Sequence, residues 1–216
     1  MLNFLLPARC PVCDCYVDAG GLCEPCREGL LECEPGCLTC GAHGWDGQKC
    51  PSCRVLLPHL DEVRVPWLFT GVLRDVIVDV KSKRDPRPLR PLCHEYDRWL
   101  CEAGIDATNW VSVPLHPIDL RQRGFSLPSL VCRFSGHPCQ GVLTKTRTTE
   151  KQATLGRLAR AHNVVGVFHA REISGAWVLV DDVVTTGATM NAAAGALRAA
   201  GAESVTAVAL ARTPET

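Results

Sequence analysis

The chain has 216 residues, enough for one large domain or for a small one beside a medium one. Lys plus Arg and Asp plus Glu are equal at 23 each, so net charge names no partner and only its distribution is informative. No stretch reaches the ~18 apolar residues of a membrane-spanning helix. The short apolar run Met1 to Pro7 lacks the basic flank and cleavage site of a secretory signal, so a cytoplasmic protein with no membrane span is expected.

Fourteen cysteines dominate the start of the chain, and their spacing decides their role. Cys10-x2-Cys13 and Cys23-x2-Cys26 form one set; Cys37-x2-Cys40 and Cys50-x2-Cys53 repeat it, shifted by 27 at all four positions. Two such knuckles supply the four thiolates of a tetrahedral zinc site. The repeat favours two tandem zinc ribbons, with an interleaved pairing of knuckles one and three as the alternative. A secreted disulfide scaffold would need a secretory signal. Residues 1–57 read as this double ribbon, with too few large apolar side chains for a core of their own. Metal therefore has to provide much of their folding free energy. With every ligand position filled, the zinc is expected to be structural. Cys15, Cys33, Cys93, Cys101, Cys132 and Cys139 fall outside the pattern and read as small buried or surface thiols.

Residues 58–216 read as a second domain. Alternation of apolar and polar residues over Glu62 to Phe69 predicts a strand. Val72, Val76, Ile77 and Val80 predict a helix over Gly71 to Lys81, ended by Lys81-Ser-Lys-Arg-Asp85 before Pro86. That cationic turn would bind a pyrophosphate or form a solvated face. Helices are expected over Leu89 to Ala103 and Ser126 to Gly136. Strands are expected over Trp110 to Pro114, Gly141 to Lys145, Val164 to Phe168 and Ser204 to Leu210. Thr146 to His162 is polar and basic, and reads as a solvated loop and helix or as a mobile lid.

The most informative stretch is Trp177 to Thr189. An apolar strand, Trp177 to Val180, is followed by Asp181 and Asp182, then by Thr185, Thr186, Gly187, Ala188 and Thr189, then by an Ala-rich helix over Met190 to Ala200. A small hydroxyl-rich turn at a helix N-terminus offers backbone N–H groups and partial positive charge to a phosphate. The two acids would repel a phosphate, so they suit ribose hydroxyls or Mg²⁺ instead. No Gly-Lys-Ser/Thr follows, which excludes a Walker loop. An ordinary capped strand–turn–helix would not need two adjacent acids and three threonines. Residues 121–170 add eight Lys/Arg against Glu150 alone, whereas residues 1–62 hold four against nine Asp/Glu. A basic block beside a phosphate cradle fits a polyanionic ligand.

The acid pair with Thr-Thr-Gly-Ala-Thr resembles the phosphoribosyl pyrophosphate (PRPP) loop of type I phosphoribosyltransferases. That resemblance implies ribose contacts from Asp181 and Asp182, a 5′-phosphate site over Val183 to Thr189 (Val183, Val184, Thr185, Thr186, Gly187, Ala188, Thr189), and a leaving pyrophosphate on Lys81 and Arg84. The full order of motifs is more specific. Paired knuckles, the Lys81-x-Lys83 turn, Val113-Pro-Leu115, Arg123-Gly-Phe125, Gln152-x2-Leu155, Arg160-x2-Asn163 and the cradle together resemble the ComF family. The resemblance implies a zinc-binding module on a type I phosphoribosyltransferase α/β fold, with a mostly parallel sheet flanked by helices. It also implies Mg²⁺ with PRPP and a link to DNA uptake in natural competence. Where the family usually has Asn-Gln after Arg-Gly-Phe, this chain has Ser126-Leu127. Where the first turn is usually Lys-Phe-Lys-Gly-Asp, Arg84 replaces the glycine. Arg121, Arg123, Lys145, Arg147, Gln152 and Arg160 are the candidate acceptor or nucleic-acid contacts. Two functions follow: ribosyl 5-phosphate transfer from Mg–PRPP to an acceptor, or a non-catalytic competence accessory that binds single-stranded DNA and uses the PRPP site for regulation, with other DNA-uptake proteins as further partners. For the second, Phe125, Phe134 and Phe168 would be the stacking residues.

Overall fold

The computed structural model describes residues 8–18, 21–105, 107–146 and 166–214. Its centre is a parallel sheet, and every strand pairing within that sheet is parallel. The long strands β8 (Ala176–Val184) and β9 (Ser204–Arg212) lie side by side; β5 (Trp110–Ser112) flanks β8, and β3 (Glu62–Arg64) and β4 (Trp67–Leu68) both flank β9. The expected single strand over Glu62 to Phe69 is thus two. Pro66 has no N–H for a ladder, and its carbonyl accepts instead from Cys33 N at 2.8 Å.

Alternation along β8 divides the interior in two. Val178 and Val180 face a layer of three helices, α3 (Gly71–Lys83), α4 (Leu89–Glu102) and α6 (Leu127–Phe134), which contributes Leu73, Ile77, Leu92, Tyr96, Leu127 and Val131. Trp177 and Leu179 face the other side. There α7 (Ala188–Ala199) packs through Met190, Ala193, Ala194 and Leu197, with the antiparallel pair β6 (Leu143–Lys145) and β7 (Phe168–Ala170) alongside. The alanines of α7 let it lie close to the sheet, and they are good helix formers. A helix not foreseen from the sequence, α5 (Pro117–Arg123), follows β5. Its start was legible: His116 is the N-cap, accepting from Ile118 N, and Pro117 sits at the first turn.

The cysteine-rich segment folds as two small units. In the first, the ribbon β1 (Ala8–Arg9) and β2 (Tyr16–Val17) precedes α1 (Glu24–Glu28). Its Cys10, Leu22, Cys23, Cys26 and Leu30 join the core shared with α3 and α4. In the second, α2 (Pro51–Leu56) follows the last knuckle, and the buried set is only Cys37, Cys50, Cys53 and Leu57. The first unit shares the main core, and the second has only this small cluster of its own. One expectation fails outright: Cys132 and Cys139 are not free thiols but a disulfide, because α6 and the turn after it bring their Cα atoms to 6.1 Å. Among the described residues no helix is long and apolar enough to cross a membrane.

Candidate functional site

The C-terminal ends of β5, β8 and β9 open where a parallel sheet places its ligand. The strand expected to stop at Val180 runs on to Val184, so the acid pair lies within β8. Asp181 Oδ1 accepts from Asp182 N at 2.9 Å, and Asp182 Oδ1 accepts from Val183 N at 3.0 Å. Each carboxylate is thus turned back along the backbone and fixed in orientation. Burial pushes the Asp181 carboxyl well above the usual carboxylate range, and the adjacent charge of Asp182 adds to this. Asp182 forms an ion pair with Lys81, from the last turn of α3, with side chains 14% and 32% exposed. The two members are 101 positions apart in the chain, yet the fold joins them across the site.

The turn beyond β8 has Thr185 exposed, Thr186 partly buried and Thr189 exposed on the first turn of α7. Thr186 Oγ1 accepts from Ala188 N at 3.5 Å, and Gly187 is the N-cap of α7 with φ +74°, a conformation that favours glycine. The turn therefore leads into a twelve-residue helix whose first N–H groups have no intrahelical partner. Val183 is partly exposed beside the acids. Val184 is buried, and its carbonyl accepts from both N and Oγ1 of Thr213 at 2.9 Å, which anchors the base of the turn to the end of β9.

Arg84 is exposed and closes α3 at φ +56°, the left-handed conformation that a glycine there would adopt without strain. Its neighbour Asp85 is held by Arg87, whose guanidinium and backbone N–H lower the carboxyl's pKa. Lys145, at the end of β6, lies over the Phe168 ring at 5.9 Å. Burial lowers its pKa, and Asp119 and Asp181 are close enough to oppose that shift. Arg121 is exposed and Arg123 partly exposed on α5, which buries no residue. Arg147, Gln152 and Arg160, with the proposed lid over Thr146 to His162 beyond its first residue, lie outside the described residues. Of the three expected stacking aromatics, one is buried and two are partly buried. Phe168 is buried, while Phe125 and Phe134 pack against the core, Phe134 also under the Arg90 guanidinium at 5.0 Å.

The eight knuckle cysteines gather into two clusters, Cys10, Cys13, Cys23 and Cys26, and Cys37, Cys40, Cys50 and Cys53, each with sulfurs within 4.8 Å of one another. The tandem arrangement is therefore the one present. A tetrahedron with zinc–sulfur bonds of about 2.3 Å has edges of roughly 3.8 Å. The Cys13–Cys23 and Cys40–Cys50 sulfurs are 3.5 and 3.8 Å apart, so both clusters fit zinc. Backbone groups favour thiolate: Cys37 Sγ accepts from Cys50 N at 3.2 Å and from Thr39 N at 3.5 Å. Burial opposes ionisation of Cys10 and Cys37, but such N–H donors bring both thiols down to about 6. Arg212 is buried beside the second cluster and donates to Thr39 O at 3.1 Å, placing a cation where four thiolates and one Zn²⁺ would leave net negative charge.

The strand, acid pair, turn and helix bring a carboxylate pair and a lysine beside a hydroxyl-rich turn at a helix N-terminus. No curated protein is significantly similar to the chain. A family model does match, over the stretch that builds this cradle: residues 172–216, spanning β8, the turn, α7 and β9, match the phosphoribosyl transferase domain.

Proposed function

We propose that the protein binds Mg²⁺–PRPP and transfers its ribosyl 5-phosphate to an acceptor, releasing pyrophosphate, in a ComF-like role in DNA uptake. The observation that carries this reading is the placement of Asp181 and Asp182 near the end of β8, with only Val183 and Val184 before the Thr185–Thr189 turn, and with Asp182 against Lys81. In this reading the turn's N–H groups and threonine hydroxyls hold the 5′-phosphate. The acids accept from the two ribose hydroxyls and steady positive charge developing at C1′, while Lys81 and Arg84 hold the pyrophosphate. Mg²⁺ arrives with the substrate and suits the hard oxygen donors of the acid pair. Two structural zinc ions sit in the cysteine clusters, and the chain divides into residues 1–57 and 58–216. Titration calorimetry with PRPP and Mg²⁺ tests the site, and an absence of binding to zinc-loaded protein refutes it. A pyrophosphate-release screen across nucleobases, amines and single-stranded DNA then identifies the acceptor.

The surface of α5 favours a second reading, binding of single-stranded DNA without chemistry. The helix is wholly unburied and presents Arg121 and Arg123 beside Ile118 and Leu120, which are 52% and 42% exposed. With Phe168 buried and Phe125 and Phe134 partly buried, this binding would rest chiefly on counter-ion release. Its signature is a steep fall in affinity with salt, made shallower by Arg121→Ala and Arg123→Ala.

A further inference from the structure

The two cysteine clusters are seated on the two helices that carry opposite halves of the cradle. The first touches α3, whose last turn carries Lys81. A Cβ at Gly29, just after α1, would lie 2.8 Å from Val72 Cγ2, and Arg27 pairs with Glu95 of α4 at 3.0 Å. The second touches the phosphate turn itself. A Cβ at Gly187 would lie 3.1 Å from Leu57 Cδ1, so the glycine is needed for the approach of Leu57 as well as for its φ. Beside this contact, a cavity of about 410 Å³ is lined by residues of both, among them Cys40, Trp45, Cys53, Leu56, Thr186 and Ala188.

The turn is also bracketed by polar ties to the same segment. Downstream of it, His59 N donates to Asn191 Oδ1 at 3.0 Å, and Arg198 both donates to His59 O at 2.8 Å and pairs with Asp61 at 2.6 Å. Upstream, Arg212 reaches Thr39 inside the third knuckle, while the next residue, Thr213, holds the Val184 carbonyl. Both ends of the turn are therefore fastened to residues 39–61. Three of the four residues that form the core of this unit are the sulfur ligands Cys37, Cys50 and Cys53; the fourth is Leu57. Beyond the sulfurs, only Ala42, Trp45 and Leu56 pack against that core, so metal would provide much of the cohesion that holds Leu57 against Gly187.

We propose that the second cysteine cluster is a metal-dependent buttress of the phosphate turn, so that zinc at Cys37, Cys40, Cys50 and Cys53 and an anion on Thr185–Thr189 stabilise each other. The anion half rests on the proposed function; the buttress itself does not. Because coupling between two sites is reciprocal, each ligand tightens the other by the same factor.

The test uses the full chain loaded with zinc and follows amide hydrogen exchange over residues 184–191. Cys50→Ser raises exchange there by at least tenfold, whereas Cys13→Ser, which disables the first cluster, leaves it within twofold. Leu57→Ala, measured as still carrying both metals, also raises it, which separates the contact from general unfolding. Chelator competition then reads the coupling: PRPP with Mg²⁺, and inorganic phosphate, each raise the apparent affinity of the second zinc by at least about fivefold and leave the first unchanged. Equal responses to Cys13→Ser and Cys50→Ser, or no response to Leu57→Ala, overturn the buttress. Binding of PRPP with no effect on the second zinc overturns the coupling. A turn that responds to metal in a protein that does not bind PRPP upholds the buttress and removes the proposed function instead.

Discussion

Replacing both Asp181 and Asp182 by Asn separates a ribose-binding role from a merely structural one. Asn is nearly isosteric and can accept the same backbone bonds from Asp182 N and Val183 N. The change removes the Asp182–Lys81 ion pair, and a pair with side chains 14% and 32% exposed contributes at most about 1 kcal/mol. It also removes the Asp181 carboxyl, which burial and Asp182 hold well above its usual pKa. The sign of that effect is fixed. A carboxyl raised in the folded state favours folding below its unfolded pKa, about 3.9, and that contribution is lost as pH rises through the folded value. As pH rises the wild type therefore carries a penalty from ionising Asp181 in its buried place, and the variant is relieved of it. Thermal denaturation should show the variant's melting temperature held or raised at pH 8, with any advantage gone at pH 4. Calorimetry should show PRPP affinity lowered by at least ~2 kcal/mol, about thirtyfold, as for loss of hydrogen bonds to charged acceptors. Inorganic phosphate should bind unchanged or more tightly, since two repelling charges are gone. Equal weakening of PRPP and phosphate would refute the ribose assignment and leave the acids as shapers of the turn.

Three further outcomes are expected. Purified protein should carry two Zn²⁺ per chain by elemental analysis, and Cys13→Ser should retain one; loss of both metals would contradict independent clusters. Arg84→Gly should stabilise the chain by about 1 kcal/mol by relieving the left-handed backbone, while weakening PRPP if the guanidinium holds pyrophosphate. Unchanged melting would show that the φ of +56° is not strained. Lys81→Met should weaken PRPP about tenfold and leave ribose 5-phosphate within twofold, because only the former carries the pyrophosphate. A parallel loss for both ligands would place Lys81 elsewhere than on the leaving group.

The parts of the molecule that were legible in the sequence are those governed by local rules. Cysteine spacing located both metal clusters because tetrahedral sulfur ligation requires paired knuckles. The acid pair and hydroxyl-rich turn were legible because an apolar strand precedes them and an Ala-rich helix follows. The mostly parallel sheet flanked by helices followed from that alternation. What was not legible depends on contacts distant in the chain. Lys81 and Asp182 could each be assigned to the site, but nothing local said that they meet. Gly187 reads as room for a ligand, and only the docking of α2 reveals that Leu57 fills the space over it. The Cys132–Cys139 bond was missed because a seven-residue separation carries no motif, and closure depends on how α6 ends. The aromatic residues of the basic block looked available for stacking until the fold turned Phe168 into the core and laid Phe125 and Phe134 on it.

The Lys81–Asp182 pair accounts for how one site can hold a strongly anionic ligand beside two carboxylates. With no ligand, the lysine neutralises one acid, and burial raises the pKa of the other, Asp181. Under the proposed function, pyrophosphate draws Lys81 towards itself, and the ribose hydroxyls with Mg²⁺ replace the lysine at the acids. Separating a partly exposed pair costs about 1 kcal/mol or less, whereas each hydrogen bond to a charged group contributes about 1.5–3 kcal/mol. The exchange is therefore favourable if the substrate presents both its ends. Pyrophosphate alone would take the lysine and leave Asp182 unpaired, and ribose 5-phosphate alone would leave the lysine where it is. Such an arrangement discriminates for the intact diphosphorylated sugar through charge balance, and it needs α3 and α7 to be held in register, which is where the two cysteine clusters are placed.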